Sequence, residues 1–300
     1  MSEGRAAGAN GNLHGSGMRL FILGLGYSAR HFVRKFGGSF SHIAGTVRDP
    51  ATRGDLAGIE VHAFSGGSSA RETTERVRDA DVLLVSIPPG SAGDPALAAF
   101  AGVLAAGHRR KIIYLATIGV YGDHAGNWVD ESTPPLATFD RTRQRLAAEQ
   151  AWTETAHGDV AILRLAGIYG PGRNALVTLR SGTARRIIKP GQVFNRIHAD
   201  DIASAIMAAV RHEASGVFNV CDDEPAPPQD VIAYAAKLMG VTPPPEEPFE
   251  TAEMSAMARS FYASSARVSN AKLKRDLGVK LAYPTYRDAL DALWREGEGR

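Results

Sequence analysis

Residues 24–29 read GLGYSA and have the spacing G-x-G-x-x-A, which can hold a diphosphate group. Gly24 permits a tight turn from a strand into a helix, Gly26 lets bare backbone approach a pyrophosphate, and Ala29 allows the helix to pack closely on the strand. The free N–H groups and the dipole at the helix N-terminus favour the anion. The alternative is a glycine-rich turn without a ligand. The motif predicts a dinucleotide site with the contacts Gly24, Leu25, Gly26, Tyr27, Ser28 and Ala29.

The residue after the second predicted strand indicates which dinucleotide is bound. Dinucleotide folds usually place Asp or Glu at this point, where the carboxylate accepts a hydrogen bond from the ribose 2′-hydroxyl. This chain reads GTVRDP at residues 45–50, so Arg48 takes that place and Asp49 follows it. A guanidinium fits a 2′-phosphate through two parallel hydrogen bonds. NADP is therefore favoured and NAD stays possible; the alternative is that Arg48 only caps a surface turn.

The segment SIPP at residues 86–89 closes another predicted strand. Cofactors of open α/β sheets lie just beyond the carboxyl ends of the strands. We therefore expect Ser86, Ile87 and Pro88 to contact the dinucleotide. A turn stiffened by its two prolines is the alternative interpretation, and the two are compatible.

Short apolar runs alternate with segments of helical spacing from Met18 onward. The runs predict strands and read MRLFILG, HIAGTV, IEVHAF, DVLLVSI, KIIYLAT and VAILRLA, with GVFNVCD later in the chain. Such alternation is typical of a parallel sheet covered by helices on both faces. The sequence therefore predicts an α/β fold: a Rossmann-like, doubly wound parallel sheet with a small C-terminal substrate lobe.

Three regions are expected along the chain. Residues 1–17, rich in Gly, Asn and Ala, predict a disordered tail. Residues 18–170 predict an NAD(P)-binding domain, and residues 171–300 a substrate lobe interleaved with late elements of the sheet. In that lobe Asp200 or Asp201 is expected to cap the start of one helix, and Gly240 to end another.

Several ordered motifs together resemble the extended short-chain dehydrogenase/reductase family, which includes nucleotide-sugar epimerases and dehydratases. The resemblance covers roughly residues 18–295 and is closest to an atypical subgroup of NAD(P)-dependent oxidoreductases, in which SIPP closes the fourth strand. Its motifs are YLATIGVYGD at 114–123, RLAGIYGPGR at 164–173, NRIHADDIA at 195–203, GVFNVCDDEP at 216–225 and RVSNAKLKRDLG at 267–278.

The resemblance implies a catalytic hydroxyl, a tyrosine and, four residues later, a lysine. Thr117 matches the hydroxyl, but Arg141 stands at the tyrosine position and Arg145 at the lysine position, where the register is set by Glu149. Arg145 could keep the contact to the nicotinamide ribose. Arg141 cannot act as a proton donor because a guanidinium does not deprotonate in proteins, but it could polarise a carbonyl or hold an anionic substrate. Tyr121 could be recruited instead, or could be a packing residue.

The segment NRIHADDIA lines the substrate cleft in the family, so Arg196 and His198 are candidate substrate contacts. Arg196 could form a pocket for an anionic group together with Arg141 and Arg173, or could be a solvated surface residue. His198 beside Asp200 and Asp201 raises the possibility of a metal site. The resemblance instead assigns this segment to the cleft and to a helix start, and no metal site is predicted.

Composition limits the partners and the compartment. A net charge of +2 over 300 residues, with acidic and basic residues interspersed, predicts no nucleic-acid partner. A single cysteine, Cys221, excludes an internal disulfide and favours a reducing, cytoplasmic compartment. No apolar run has the length of a membrane span, so no membrane association is expected. The resemblance also implies a homodimer as one possible assembly.

Two functional hypotheses follow. The protein is an NAD(P)-dependent oxidoreductase or epimerase-like enzyme that has a non-standard active site and acts on an unknown small substrate, for which an anionic compound is one candidate. Alternatively, it is a catalytically impaired NADP(H)-binding protein that acts as a redox-responsive binding module. Both rest on an intact glycine turn beside Arg141 and Arg145, where the tyrosine and lysine are absent.

Overall fold

A computed structural model describes residues 17–52, 56, 58–67, 70–106, 109–156 and 159–300. The tail predicted for residues 1–17 lies outside these residues, apart from Gly17. The described strands are β1 Arg19–Leu23, β2 His42–Val47, β3 Glu60–Ala63, β4 Val82–Val85, β5 Lys111–Thr117, β6 Trp128–Val129, β7 Val160–Leu165, β8 Gly167–Tyr169, β9 Arg186–Ile188, β10 Arg196–His198, β11 Gly216–Val220, β12 Glu246–Pro248 and β13 Arg267–Val268. The described α-helices are α1 Tyr27–Phe36, α2 Arg71–Asp79, α3 Pro95–Ala106, α4 Asp140–Thr155, α5 Ala175–Arg180, α6 Ala199–Arg211, α7 Pro228–Met239, α8 Ala256–Phe261, α9 Ala271–Leu277 and α10 Tyr286–Arg295.

Seven of these strands form one parallel sheet in the spatial order β3-β2-β1-β4-β5-β7-β11. The chain runs outward from β1 to β3 and then crosses back to place β4 on the other side of β1. The order of connections therefore reverses between β1 and β4, and ligands of such sheets bind in the crevice at this point. The predicted doubly wound α/β fold is confirmed, and all seven apolar runs lie in this sheet.

Helices cover both faces of the sheet, which explains why its strands are mostly apolar. On one face α1 and α6 pack through Phe32, Ile202 and Ile206, each fully buried. On the other face α2, α3 and α4 contribute Val77, Phe100 and Trp152, which are also fully buried. Each such side chain stabilises the fold by about 1.5–3 kcal/mol relative to an exposed position.

The C-terminal part of the chain contributes to the main sheet and to a smaller lobe. Strand β11 pairs along its length with β7, so a late segment completes the sheet. In the lobe, α5, α7 and α10 surround a separate apolar cluster that includes Leu176, Ala235 and Leu290. Three two-stranded parallel pairs, β8 with β10, β9 with β12 and β6 with β13, connect the lobe and the loops.

The start of α6 differs from the prediction that Asp200 or Asp201 caps it. The N-cap is His198, whose Nδ1 accepts a hydrogen bond from the Asp200 backbone N–H at 3.2 Å. Asp201 instead accepts hydrogen bonds from the backbone N–H groups of Ala282 and Tyr283. The chain enters α6 directly from β10, so the last strand residue takes the cap position. The predicted end of α7 at Gly240 is confirmed, since Gly240 adopts the left-handed conformation at φ +66°.

Among the described helices, none is both long enough and apolar enough to cross a membrane.

Candidate functional site

The residues predicted to bind a dinucleotide come together at the carboxyl edge of the sheet. The glycine turn follows β1, Arg48 follows β2 and Ser86 follows β4, and these three strands are neighbours. Thr117 is the last residue of β5, the next strand along. The Ser86 N–H donates to the Leu23 carbonyl oxygen at 2.8 Å, so the segment at 86–88 lies directly beside the glycine turn. This edge is the candidate cofactor site.

Gly24 is required by the backbone of the turn itself. Its φ is +97°, a conformation that residues with a side chain rarely adopt. A Cβ atom here would also lie 3.0 Å from Ile87 Cγ1. The Gly24 N–H donates to Thr46 Oγ1, and the Leu25 N–H to the Thr46 carbonyl oxygen. The turn is therefore fixed by β2 on one side and by the segment after β4 on the other.

Gly26 has a different role, because its conformation is open to any residue. Its φ is −83°, and a Cβ atom built on it would meet no atom of the described chain within 4 Å. Gly26 is the N-cap of α1, and the described chain supplies no side chain to cap this helix. Uncapped N–H groups at a helix N-terminus beside open space fit the diphosphate of a dinucleotide.

The next residues of the turn contact a distant part of the chain. The Tyr27 hydroxyl donates to the Pro171 carbonyl oxygen at 3.0 Å, and the Arg173 guanidinium lies 5.8 Å from the Tyr27 ring centroid. A Cβ atom at Gly170 would lie 2.8 Å from the Tyr27 hydroxyl. Ser28 and Ala29 are buried, and Ala29 packs in the core. The glycine turn thus touches the segment that leads from β8 into α5.

Arg48 and Thr117 present polar groups at the same edge. Arg48 is exposed immediately after β2. Thr117 Oγ1 accepts a hydrogen bond from the Gly119 N–H at 3.1 Å. The hydroxyl hydrogen of Thr117 is therefore available to donate to a substrate oxygen.

Arg145 is held against the end of β5. Its Nη1 donates to the Leu115 carbonyl oxygen at 3.0 Å and to the Tyr114 hydroxyl at 3.3 Å. Leu115 lies two residues before Thr117, so the guanidinium is anchored to β5 about 7 Å along the strand from the residue with the candidate catalytic hydroxyl. Burial raises the pKa of Tyr114 to about 12, although the nearby Arg145 opposes this shift.

Arg141, one helical turn before Arg145, lies between two aromatic rings. Its guanidinium carbon is 4.8 Å from the ring centroid of Phe139 and 4.9 Å from that of Phe261. Both distances are in the range of cation–π attraction. Phe261 ends α8, so Arg141 joins α4 to α8. The residue at the family's tyrosine position is thus engaged in a packing contact.

Tyr121 and Glu149 lie in the core beside the site. The Tyr121 side chain is 1% exposed, and its hydroxyl donates to Asn219 Oδ1 at 2.9 Å. This placement corresponds to the packing alternative, because a buried hydroxyl with a partner offers nothing to a substrate. Glu149 forms a buried ion pair with Arg164, with 2.7 Å between Oε2 and Nη2. Arg164 also lies 5.0 Å from the ring centroid of Tyr121, a contact that no local pattern of the sequence indicates.

Arg196 lines a cleft of about 340 Å³ between β8, β10, α5, α7 and α10. Its Nη1 donates to the carbonyl oxygens of Phe194 and Ala226, and the Tyr169 hydroxyl, also in the cleft wall, is buried with no partner in the described chain. The lining residues are Tyr169, Arg173, Asn174, Ala175, Thr178, Arg185, Arg196, Pro228, Val231, Ile232, Tyr286 and Leu290. The structure therefore groups Arg196 with Arg173 but not with Arg141, because Arg141 is stacked against α8 instead.

His198 lies behind this cleft and is 1% exposed. Its ring centroid is 5.5 Å from that of Tyr169 and 4.1 Å from that of Tyr283. Burial lowers the pKa of His198 to about 4, so the ring is neutral near pH 7. A direct substrate contact by His198 would need Tyr169 to move, since the ring of Tyr169 packs against it.

Asp222 is a buried carboxyl group that the sequence did not indicate. It is 2% exposed, its Oδ2 has no partner among the described residues, and its backbone N–H donates to the Arg196 carbonyl oxygen at 2.7 Å. Burial raises the pKa of Asp222 to about 8. The sequence does not indicate the burial of Asp222, because this burial depends on the tertiary contact that places the end of β11 beside β10.

Comparisons with known sequences point to one family. A sequence model of the NAD dependent epimerase/dehydratase family matches residues 97–221. The chain is 28% identical to the protein YeeZ of Escherichia coli (strain K12) over 253 residues, which are 75% of this chain and 85% of YeeZ. It is 29% identical over 180 residues to a 3-diazoavenalumate denitrifying reductase of Streptomyces sp, which are 52% of this chain and 59% of that protein.

Solved structures show the same fold. A conserved protein from Silicibacter pomeroyi DSS, described as functionally unknown, is 45% identical with a TM-score of 0.86, over 94% of this chain and 99% of that chain. UDP-glucuronic acid 4-epimerase from Bacillus cereus, solved in complex with NAD, is 18% identical with a TM-score of 0.70, over 92% and 97% of the two chains. The human epimerase family protein SDR39U1 (isoform 2), solved with NADPH, is 16% identical with a TM-score of 0.69, over 93% and 99%.

The family match, the strand order and the glycine turn at the reversal point agree with one another. The residues at the family's tyrosine and lysine positions are both arginines, each held by its own contacts. The chain is therefore similar to the NAD dependent epimerase/dehydratase family in sequence over residues 97–221, and it shares the fold of solved epimerases over nearly its whole length.

Proposed function

We propose that this protein is an NAD(P)-dependent oxidoreductase that prefers NADP and acts on a small anionic substrate. The observation that carries the proposal is the open space at Gly26, which lies beside Arg48, Ser86 and Thr117 at one edge of the sheet. When bound, the nicotinamide supplies or accepts a hydride. Structural relatives solved with NAD and with NADPH support a dinucleotide in this position.

The residues near the end of β5 could assist reduction of a carbonyl group without a tyrosine. Thr117 donates its hydroxyl hydrogen to the substrate oxygen and so orients it. Arg145, fixed on the Leu115 carbonyl oxygen, adds a positive charge that stabilises the negative charge developing on that oxygen. Because a guanidinium does not give up a proton, the final proton comes from water.

The cleft that contains Arg173, Arg185 and Arg196, here called the arginine-lined cleft, supports an anionic substrate with an apolar body. Arg173 and Arg196 offer positive charge, and the unpartnered Tyr169 hydroxyl offers a hydrogen bond. Val231 and Leu290 form an apolar part of the same wall. The similarity to a protein named 3-diazoavenalumate denitrifying reductase supports net reduction of a substrate over epimerisation.

The proposal is tested by following NADPH oxidation spectroscopically with the purified full-length protein. The substrates are ketones and aldehydes that carry a carboxylate or a phosphate, each paired with its uncharged ester or alcohol. We expect turnover with members of the anionic set, and the Arg196→Gln variant should raise KM far more than it lowers kcat. Turnover of the uncharged compounds alone would contradict the anionic substrate.

A cofactor-binding protein with little chemistry is the second candidate, and the position of Arg141 favours it. This side chain is stacked between Phe139 and Phe261, so it does not point a donor freely at a substrate. Tight NADPH binding without turnover of any compound would support this candidate. Gain of activity in an Arg141→Tyr, Arg145→Lys double variant, but in neither single variant, would show that only the two family residues are missing.

A further inference from the structure

A group of metal-binding side chain types lies at the edge of the sheet opposite to the glycine turn. Glu60 is the first residue of β3, His62 follows two residues later, and Glu72 lies in the first turn of α2. One ligand atom from each side chain lies within 4.8 Å of the others. The group is separate from the cofactor edge, because Glu60 begins its strand whereas the glycine turn follows the end of β1.

The fold explains why these three residues meet. Side chains two residues apart on a strand point to the same face, so Glu60 and His62 share one face of β3. Helix α2 covers this face and buries Thr73 and Val77 against the sheet. Its first turn therefore holds Glu72 over the two strand residues.

His62 supplies an observation that points to a ligand. Its ring is 8% exposed and lies against Phe21, with 6.1 Å between the ring centroids. Nε2 of His62 lies 2.9 Å from Glu60 Oε1, yet it makes no hydrogen bond of acceptable geometry with any described atom. Two donors that each lie about 2.1 Å from one tetrahedral zinc ion are roughly 3.4 Å apart, so the 2.9 Å spacing would have to open by about 0.5 Å to admit the ion.

The surrounding charges permit a divalent cation. His42 Nε2 lies 2.8 Å from Glu60 Oε2 and would hold this carboxylate in place, as neighbours of metal ligands commonly do. Arg76 Nε donates to Glu60 Oε1 at 2.8 Å and competes with a metal there. The Arg76 side chain is 42% exposed and can turn to solvent, and the two carboxylates outweigh its single positive charge.

We propose that Glu60, His62 and Glu72 bind a divalent transition-metal ion, with Zn²⁺ as the probe. One imidazole nitrogen and two carboxylate oxygens suit zinc, which accepts such mixed ligands, better than calcium or magnesium, which prefer oxygen alone. The ion would join the edge strand β3 to α2. This site is independent of the oxidoreductase function proposed above.

The test is a calorimetric titration of the full-length protein with ZnCl₂ after treatment with EDTA. We expect one site, and at least about ten-fold weaker binding for Glu72→Gln and for His62→Gln. Glu75→Gln is the matched control: Glu75 lies in the same helix, pairs with Arg71 outside the cluster, and its loss should leave the affinity unchanged. Zn²⁺ should also raise the melting temperature of the wild type but not of Glu72→Gln.

Glu72 is exposed, so its substitution leaves the fold intact even if the variant of the buried His62 fails to fold. Absence of Zn²⁺ binding by the wild type would overturn the proposal. Equal affinity of the wild type and Glu72→Gln would overturn it as well, because the metal would then bind elsewhere in the chain.

Discussion

Gly24 and Gly26 of the glycine turn are required for different reasons. An added methyl group would clash at Gly24 but not at Gly26. At Gly24 a side chain is excluded by a φ of +97° and by the contact with Ile87. At Gly26 the protein itself leaves room for a side chain. The second glycine is therefore explained by what approaches the turn from outside, which is the diphosphate of the proposed cofactor.

Gly26→Ala is expected to leave the melting temperature of the free protein nearly unchanged and to weaken NADPH binding at least about ten-fold, because the methyl group occupies the space of the diphosphate. The measurements are thermal unfolding and a fluorescence titration with NADPH. Gly38→Ala, another position with no atom within 4 Å of the new Cβ, is the control and should preserve both quantities. Unchanged affinity in Gly26→Ala would place the cofactor elsewhere.

Arg48→Ala is expected to weaken NADPH binding about ten-fold or more and to leave NADH binding nearly unchanged. The reason is that only NADPH carries the 2′-phosphate, with which a guanidinium forms charge-assisted hydrogen bonds. Titrations with both nucleotides measure the difference. Arg71→Ala removes another exposed arginine and should affect neither. An equal loss of affinity for both nucleotides would reject the role assigned to Arg48.

Asp222 makes stability depend on pH. Its pKa is raised by burial to about 8, so the folded protein holds a proton that the unfolded chain releases near pH 4. The free energy of unfolding therefore falls as the pH rises from about 4 to about 8, and then levels off with respect to this group. Asp222→Asn should remove this slope and be more stable than the wild type at pH 8.5, by an amount on the order of 1–3 kcal/mol.

Urea unfolding at pH 5, 6.5 and 8.5 measures the slope of the wild type and of Asp222→Asn. Asp230→Asn is the control, because it removes the same charge at an exposed position. Its free energy of unfolding should depend on pH as that of the wild type does. A difference between wild type and Asp222→Asn that does not vary with pH would show that Asp222 is ionised in the folded protein throughout.

At the scale of elements, the contact between α4 and α8 depends on one side chain. Arg141→Ala removes two cation–π contacts, each worth about 0.5–1 kcal/mol at an exposed site, and should lower the free energy of unfolding by roughly 1–2 kcal/mol. Chemical denaturation measures this loss. A double-mutant cycle with Phe261→Ala should show coupling, whereas a cycle with Arg143→Ala in place of Arg141→Ala should show none. Additive losses for Arg141 and Phe261 would contradict the stacking.

The sequence predicted the elements that are long and apolar, and it missed those that depend on distant partners. Most residues of the seven sheet strands are apolar and the strands alternate with helical patterns, so local pattern was sufficient even for β3, which contains Glu60 and His62. Strands β6, β8, β9, β10, β12 and β13 are only two or three residues long, and their existence depends on pairing. The stacking of Arg141 on Phe261 and the meeting of Glu60, His62 and Glu72 depend on tertiary contacts for the same reason.

At the scale of the whole molecule, the two parts of the chain depend on each other for burial. Residues 171–300 supply β11, which pairs with β7, and α6, which covers α1 through Ile202 and Ile206. The division at residue 170 stays a prediction about sequence organisation. It does not follow that residues 18–170 form a stable unit.

A fragment of residues 18–170 is expected to unfold without a cooperative transition, because it lacks the cover of α1 and the partner of β7. Residues 18–300 should unfold in one cooperative step under the same conditions. Circular dichroism during urea titration checks both. A fragment 18–170 that unfolds cooperatively and binds NADPH would show that the first region is an independent domain.

The hydrogen bond from Tyr27 to Pro171 has a consequence for how two ligands would influence each other. Tyr27 belongs to the glycine turn, and Arg173, which lies over its ring, belongs to the wall of the arginine-lined cleft. A shift of Tyr27 or Arg173 would therefore change the contacts of the other. Binding of the dinucleotide at the glycine turn would then alter the affinity of the cleft for its ligand, and thermodynamic reciprocity requires the reverse effect to be equal in size.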